Sequence, residues 1–201
     1  MNGYLIARFD MTDPAAAPAA YKAYVETAAP AYVAHGARFL ARGGETHPLE
    51  GEARARNVVI EFPSIAEALA CYKSDTYQTA REHRLPVAEG EIVIVEGAVK
   101  ARPAQEGHKG YWIARQDVHE PAIYKKYLEV AAPAFAQFGA IFLARGGPHQ
   151  AMEGQARARN VLIEFPSVQD AVDCFNSDLY RRAVDHRRAA ATGEIVVVAG
   201  V

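Results

Sequence analysis

The sequence predicts an α+β protein made of two tandem ferredoxin-like βαββαβ domains. Three observations predict it. The chain repeats itself: Tyr21 to Ala98 overlays Tyr124 to Val201 without a gap, and 44 of the 78 positions are identical. Each copy runs strand, helix, strand, strand, helix, strand, which is the split βαβ unit. An antiparallel sheet of that kind carries helices on one face only. The second copy, tethered in the same chain, is the natural cover for the bare face, so the two should form a pseudo-dimer. The expected domains are residues 1–98 and 110–201, joined by a linker over 99–109 that contains Lys100, Arg102, Pro103 and Gly107.

The elements follow in order. Gly3 to Asp10 and Gly110 to Asp117 alternate and are rich in β-formers, so each reads as a strand. Asp13-Pro14 and Glu120-Pro121 are helix-start chemistry. The first copy adds an Ala/Pro-rich insert around Ala15 to Ala19. Tyr21, Tyr24, Val25, Ala28 and Tyr32 form one helical stripe, repeated as Tyr124, Tyr127, Leu128, Ala131 and Phe135. These tyrosines read as core. Pro30 and Pro133 fall inside the stripe and should kink the helix, and Gly36 and Gly139 should end it.

Arg38 to Arg42 and Arg56 to Phe62 read as the second and third strands, with a glycine-bearing hairpin loop over Gly43 to Arg54. Ser64 and Ser167 are N-caps, with Glu67 and Asp170 at the capping-box position. Ile65, Ala68, Leu69 and Tyr72 give the buried stripe of the second helix, which Ser74-Asp75 and Ser177-Asp178 restart as a further short helix. Gly90 and Gly193 introduce the closing strands, Glu91 to Glu96 and Glu194 to Ala199.

The composition excludes several classes. Formal net charge is −2, so no global field favours nucleic acid. No apolar stretch approaches membrane-spanning length. Met1-Asn2-Gly3-Tyr4 is not the start of a signal peptide, and the expected location is cytoplasmic. The two cysteines, Cys71 and Cys174, occupy one position of the repeat and read as buried free thiols. There is no His-Glu-x-x-His spacing, Cys/His cluster, phosphate loop or nucleophile elbow, so neither a metal nor a cofactor is expected.

Five pairs of residues could carry chemistry. Alternation puts Asn57, Val59 and Glu61 on one face of the third strand and Val58, Ile60 and Phe62 under the helices. Glu61, and Glu164 in the second copy, should therefore point into the barrel between the two sheets. Each is either a desolvated general base with a raised pKa or half of a structural ion pair with an arginine. Arg42 and Arg145 precede two glycines and suit a clamp for a carboxylate or enolate; pairing within the local hairpin is the alternative. Arg54 with Arg56, and Arg157 with Arg159, share a strand face by parity and would make a cationic rim or a solvated strand end. His83 and His186, the one histidine pair that matches between copies, are candidate acids or simply half-exposed helix residues.

The ordered set Tyr4-Leu5-Ile6-Ala7, Arg42-Gly43-Gly44, Glu61-Phe62-Pro63-Ser64, Ser74-Asp75-Thr76-Tyr77 and Gly90-Glu91-Ile92-Val93 resembles the domain-of-unknown-function family 1330. The second copy repeats the set from Tyr111-Trp112-Ile113-Ala114 onward. The resemblance covers nearly the whole chain, twice. It implies the dimeric α+β barrel superfamily, in which two ferredoxin-like sheets pack face to face. That superfamily includes muconolactone isomerases, small cofactor-free monooxygenases and stress-response barrels.

The expected function is binding of a small, anionic organic molecule in the barrel, with cofactor-independent isomerase or lyase chemistry as an extension. Glu61 and Glu164 would be the base, Arg42, Arg145, Arg56 and Arg159 the anion contacts, and His83 and His186 the secondary acid. A non-catalytic structural or stress-associated barrel and a cofactor-free monooxygenase are the rival readings. Higher assembly of the whole chain is left open by the exposed sheet edges.

Overall fold

The computed structural model describes residues 1–98 and 107–201, so most of the expected linker lies outside the described residues. The first copy supplies β1 (Gly3–Met11), α1 (Ala17–Ala34), β2 (Arg38–Glu50), β3 (Arg56–Phe62), α2 (Ile65–Lys73), α3 (Asp75–Arg84) and β4 (Ala88–Glu96). The second supplies β5 (Gly110–Val118), α4 (Pro121–Gln137), β6 (Ile141–Arg145), β7 (His149–Glu153), β8 (Arg159–Phe165), α5 (Val168–Asn176), α6 (Asp178–Ala190) and β9 (Ala191–Gly200).

The helix boundaries have local causes. Asp13 Oδ1 accepts from the backbone N–H groups of Ala15 and Ala16, both at 3.0 Å, and so organises the turn into α1. Gly36 and Gly139 have φ of +64° and +65°, the left-handed conformation that stops a helix. The N–H of Ala37 then closes back on the carbonyl of Tyr32 at 2.9 Å. Pro30 and Pro133 are carried inside α1 and α4, which continue to Ala34 and Gln137. Ser64 and Ser167 cap α2 and α5 by accepting from the N–H of Glu67 at 3.1 Å and of Asp170 at 3.0 Å.

Two compact units result, and they do not coincide with the two sequence copies. Unit 1 is Met1–Arg42, Arg54–Arg102 and Pro148–Ala156; unit 2 is Gly43–Ala53, Pro103–Gly147 and Arg157–Val201. In unit 1 the strands run in the order β2, β3, β1, β4, β7, with the first half of β2 taking part, and every pair is antiparallel. In unit 2 the order is β6, β8, β5, β9, followed by the second half of β2. The hairpin loop expected over Gly43 to Arg54 is therefore corrected. Most of it is the continuation of β2, and its partner is β9, far away in sequence.

Each unit has its own core between helices and sheet. In unit 1, Leu5, Ala7 and Phe9 of β1 and Val58, Ile60 and Phe62 of β3 pack with Tyr24, Ala28 and Tyr32 of α1. In unit 2, Trp112 and Ala114 of β5 and Val161, Ile163 and Phe165 of β8 pack with Tyr124, Tyr127 and Phe135 of α4. The parity expected for β3 holds: Val58, Ile60 and Phe62 lie under the helices, while Asn57, Val59 and Glu61 share the opposite face, where they too are buried.

Each unit also buries an arginine whose counter-charge comes from the segment supplied by the other sequence copy. In unit 1, Arg84 is 1% exposed and donates to both carboxylate oxygens of Glu153, at 2.6 and 2.8 Å. In unit 2, Arg187 donates to the two oxygens of Glu50, each at 2.6 Å.

Candidate ligand-binding cavity

The strands β2 and β6 carry a bulge at the same place, between Phe39 and Ala41 and between Phe142 and Ala144. A bulge shifts the alternation by one residue. Arg42 thus comes to the same side as Phe39, with its guanidinium carbon 4.3 Å from the ring centroid, and Arg145 stacks on Phe142 at 4.3 Å. Across the sheet, Arg56 leans over Tyr21 at 4.3 Å and Arg159 over Tyr124 at 5.2 Å. All four arginines therefore border the helix-covered face.

In unit 2 this face opens into a cavity of about 310 Å³ beneath α4. Trp112, Phe135 and Ile163 line its apolar end and Gln116, Tyr124 and Arg159 the other, with Arg145, stacked on Phe142, between them. The register explains the division. Gln116 lies opposite Arg159, and Trp112 lies opposite Ile163, four residues further along β5. At about 3.4 Å per residue the two ends are about 14 Å apart along the strand. The equivalent space in unit 1, lined by Leu5, Phe9, Tyr21, Tyr32, Arg42 and Arg56 among others, measures about 20 Å³, room for about one water.

The electrostatics of the cavity are one-sided. Arg8, Arg38, Arg54, Arg84, Arg115, Arg157 and Arg187 all pair with carboxylates. Among the described residues, Arg145 and Arg159 have no carboxylate partner, and Arg159 Nε is buried without a hydrogen bond. Tyr124 donates to Gln116 Oε1 at 2.6 Å. Burial pushes the Tyr124 phenol up, and Arg159 and Arg187 pull it partway back. Tyr127, hydrogen-bonded to Tyr180 at 3.1 Å, is pushed well above the usual phenol range, first by burial and then by Tyr180. Neither is poised to ionise near neutral pH.

The sequence-derived candidates are only partly brought together. Arg145 and Arg159 meet at the cavity, and Arg42 and Arg56 meet at its closed counterpart. Glu61 and Glu164 are buried, at 7% and 3% exposure, but Glu61 lies on the opposite face of its sheet. Its carboxylate accepts from Asn2 Nδ2 at 2.7 Å, from the Tyr4 hydroxyl at 3.0 Å and from a two-point contact with Arg38. His83 on α3 is exposed and His186 on α6 is half-buried; neither lines a cavity.

The pairing of Arg54 with Arg56 is corrected. Strand β3 begins at Arg56, so Arg54 turns away to Asp10 at 2.8 Å and Glu91 at 2.9 Å. Arg157 repeats this with Asp117 at 2.6 Å and Glu194 at 2.7 Å. Cys71 and Cys174 are buried. Burial pushes both thiols up to about 12, with Glu67 adding to the effect at Cys71, so neither carries appreciable thiolate.

Sequence reasoning passed over Gln116 and Trp112. The signal was present in β5, where alternation puts a glutamine on the same face as Trp112 and Ala114. Among the described residues, no set of three His, Cys, Asp or Glu side chains gathers as metal ligands. No helix there is long and apolar enough to cross a membrane.

These features define a tandem α+β protein of two ferredoxin-like units, with a cavity of about 310 Å³ in the second. The chain belongs to the family described as domain of unknown function (DUF1330), whose model matches residues 2–98 and again 109–201. Among curated proteins, none matches. Among solved structures it is similar to a mutant chlorite dismutase from Candidatus Nitrospira defluvii in complex with cyanide. That match has a TM-score of 0.59 and 8% identity, and covers 100% of this chain and 90% of the other. It is similar also to an anthrone oxidase-like protein, with a TM-score of 0.54 and 14% identity, over 100% of this chain and 91% of that one. At these identities the likeness is one of fold.

Proposed function

We propose that the second copy binds a small organic anion with an apolar, ring-like body in the cavity beneath α4, and that the first copy is a closed counterpart. The observation that carries this reading is the pair Arg145 and Arg159. Two arginines without carboxylate partners, Arg159 half-buried and Arg145 exposed, border an aromatic-walled cavity, as Arg56 and Arg42 border its closed counterpart. The volume stands at the lower end of the range for small-molecule sites, about 300–1,000 Å³. Arginine's planar fork suits a carboxylate or enolate, and Trp112, Phe135 and Phe142 offer stacking surface to the remainder. Glu61, Glu164, His83 and His186 take no part, because the cavity does not include them.

Calorimetric titration with phenylacetate and with its neutral amide tests the reading. The acid should bind and the amide should bind more weakly. Arg145→Gln or Arg159→Gln should cost about ten- to a hundredfold in affinity for the acid, the worth of one hydrogen bond to a charged group. Arg42→Gln in the first copy should leave affinity unchanged. Equal binding of acid and amide would favour a neutral aromatic ligand. No binding of either would favour a structural module.

A further inference from the structure

Resting on that reading, we infer that Gln116 is the specificity-determining residue of the site, and that the ligand class is an aryl acid with an acceptor oxygen beside its carboxylate, such as a 2-oxo acid. Gln116 is 2% exposed and lines the cavity. Its Oε1 is taken by the Tyr124 hydroxyl at 2.6 Å. Its Nε2 is the amide's remaining donor group, on a side chain that lines the cavity. An amide donor at the wall of a cavity favours a ligand that supplies an acceptor over one that does not.

The placement of Gln116 sets where that acceptor must be. Gln116 and Arg159 are cross-strand partners, so their side chains leave neighbouring strands on the same face, Cβ atoms about 5 Å apart. An acid held by Arg159 and Arg145 therefore presents its adjoining atoms to Gln116. The apolar remainder runs along β5 toward Trp112. In the first copy Phe9 stands where Gln116 would be, opposite Arg56. Phe9 offers no donor, and its ring is covered by the guanidinium of Arg84 at 4.2 Å.

Phenylglyoxylate and phenylacetate make a matched pair of probes, since they differ only in a carbonyl oxygen replacing two hydrogens beside the carboxylate. The full chain should bind phenylglyoxylate about five- to tenfold more tightly than phenylacetate, the ratio that one net neutral hydrogen bond supplies. Gln116→Met keeps the side-chain volume and removes the donor, so it should abolish that preference and bring the two acids to equal affinity. Gln116→Glu keeps an acceptor for Tyr124 and should reject both acids by charge repulsion; it serves if the methionine variant fails to fold.

Equal affinities in the wild type would overturn the assignment of Gln116 while leaving the anion site standing. A preference that survives in Gln116→Met, or binding retained by Gln116→Glu, would overturn it as well. Absence of binding by either acid would remove the anion site itself.

Discussion

Replacing Glu153 by alanine should destabilise unit 1 by about 3–5 kcal/mol, the range for removing one partner of a buried ion pair. Glu153 accepts from Arg84 on both oxygens, from Arg81 Nε at 2.9 Å and from the Tyr72 hydroxyl at 3.0 Å. Without it, the Arg84 guanidinium stays charged among Phe9 and Tyr24 with nothing to neutralise it. The double variant Glu153→Leu with Arg84→Met should lose much less, because no unpaired charge is left behind. Urea unfolding followed by circular dichroism measures both. A loss below about 1 kcal/mol for Glu153→Ala would put the pair in the class of exposed ion pairs.

The same pair gives the pH dependence a sign. Burial alone would raise the Glu153 carboxyl, but hydrogen bonds and charge from Arg84 and Arg81 outweigh it and hold the group below the ordinary carboxylate value. A carboxyl depressed in the folded state contributes stability that is fully present above its unfolded pKa of about 4.3. That contribution is lost as pH falls through the folded value. Stability should therefore fall in acid below about pH 4.3, and less steeply in Glu153→Gln.

Expressed alone, residues 1–98 should not give a folded monomer. The fragment lacks Pro148–Ala156, which unit 1 requires, and carries Gly43–Ala53, which belongs to unit 2. The repeat offset lays Glu50 on Glu153 and Arg84 on Arg187. Two fragments can then lend each other Gly43–Ala53 and restore the missing carboxylate as Glu50 against Arg84. The expected species is a dimer whose melting temperature rises with concentration, seen by sedimentation equilibrium. Glu50→Ala should abolish it. A stable monomer of the fragment would show that the exchanged segment is dispensable.

Much of the fold was legible because its signals are local. Ser64 and Ser167 cap, Gly36 and Gly139 stop helices, and alternation in β3 places Glu61 away from the helices. The reading went astray where the deciding partner is distant in sequence. Gly43-Gly44, Pro48 and Gly51 resemble a turn, yet β2 continues because β9, some 140 residues later, pairs with it. Parity failed at Arg54, which precedes the strand, and Arg42 reaches the Phe39 side only through a bulge that no composition signals. Of the candidate site, the arginines were legible as candidate anion contacts from their type and repetition. The cavity was not legible, because the walls that enclose about 310 Å³ in one copy and about 20 Å³ in the other are built of closely similar residues.

The crossed pairing of Glu50 with Arg187 and Glu153 with Arg84 binds the history of the two halves together. A mutation that removes the acid at position 50 is felt at Arg187, in the opposite copy, and not at Arg84 in its own. Any compensating change must therefore arise on the far side of the duplication. The two copies cannot diverge freely at these four positions. The Phe9/Gln116 position carries no charge of either pair, so the two copies differ there without leaving an acid or an arginine unmatched.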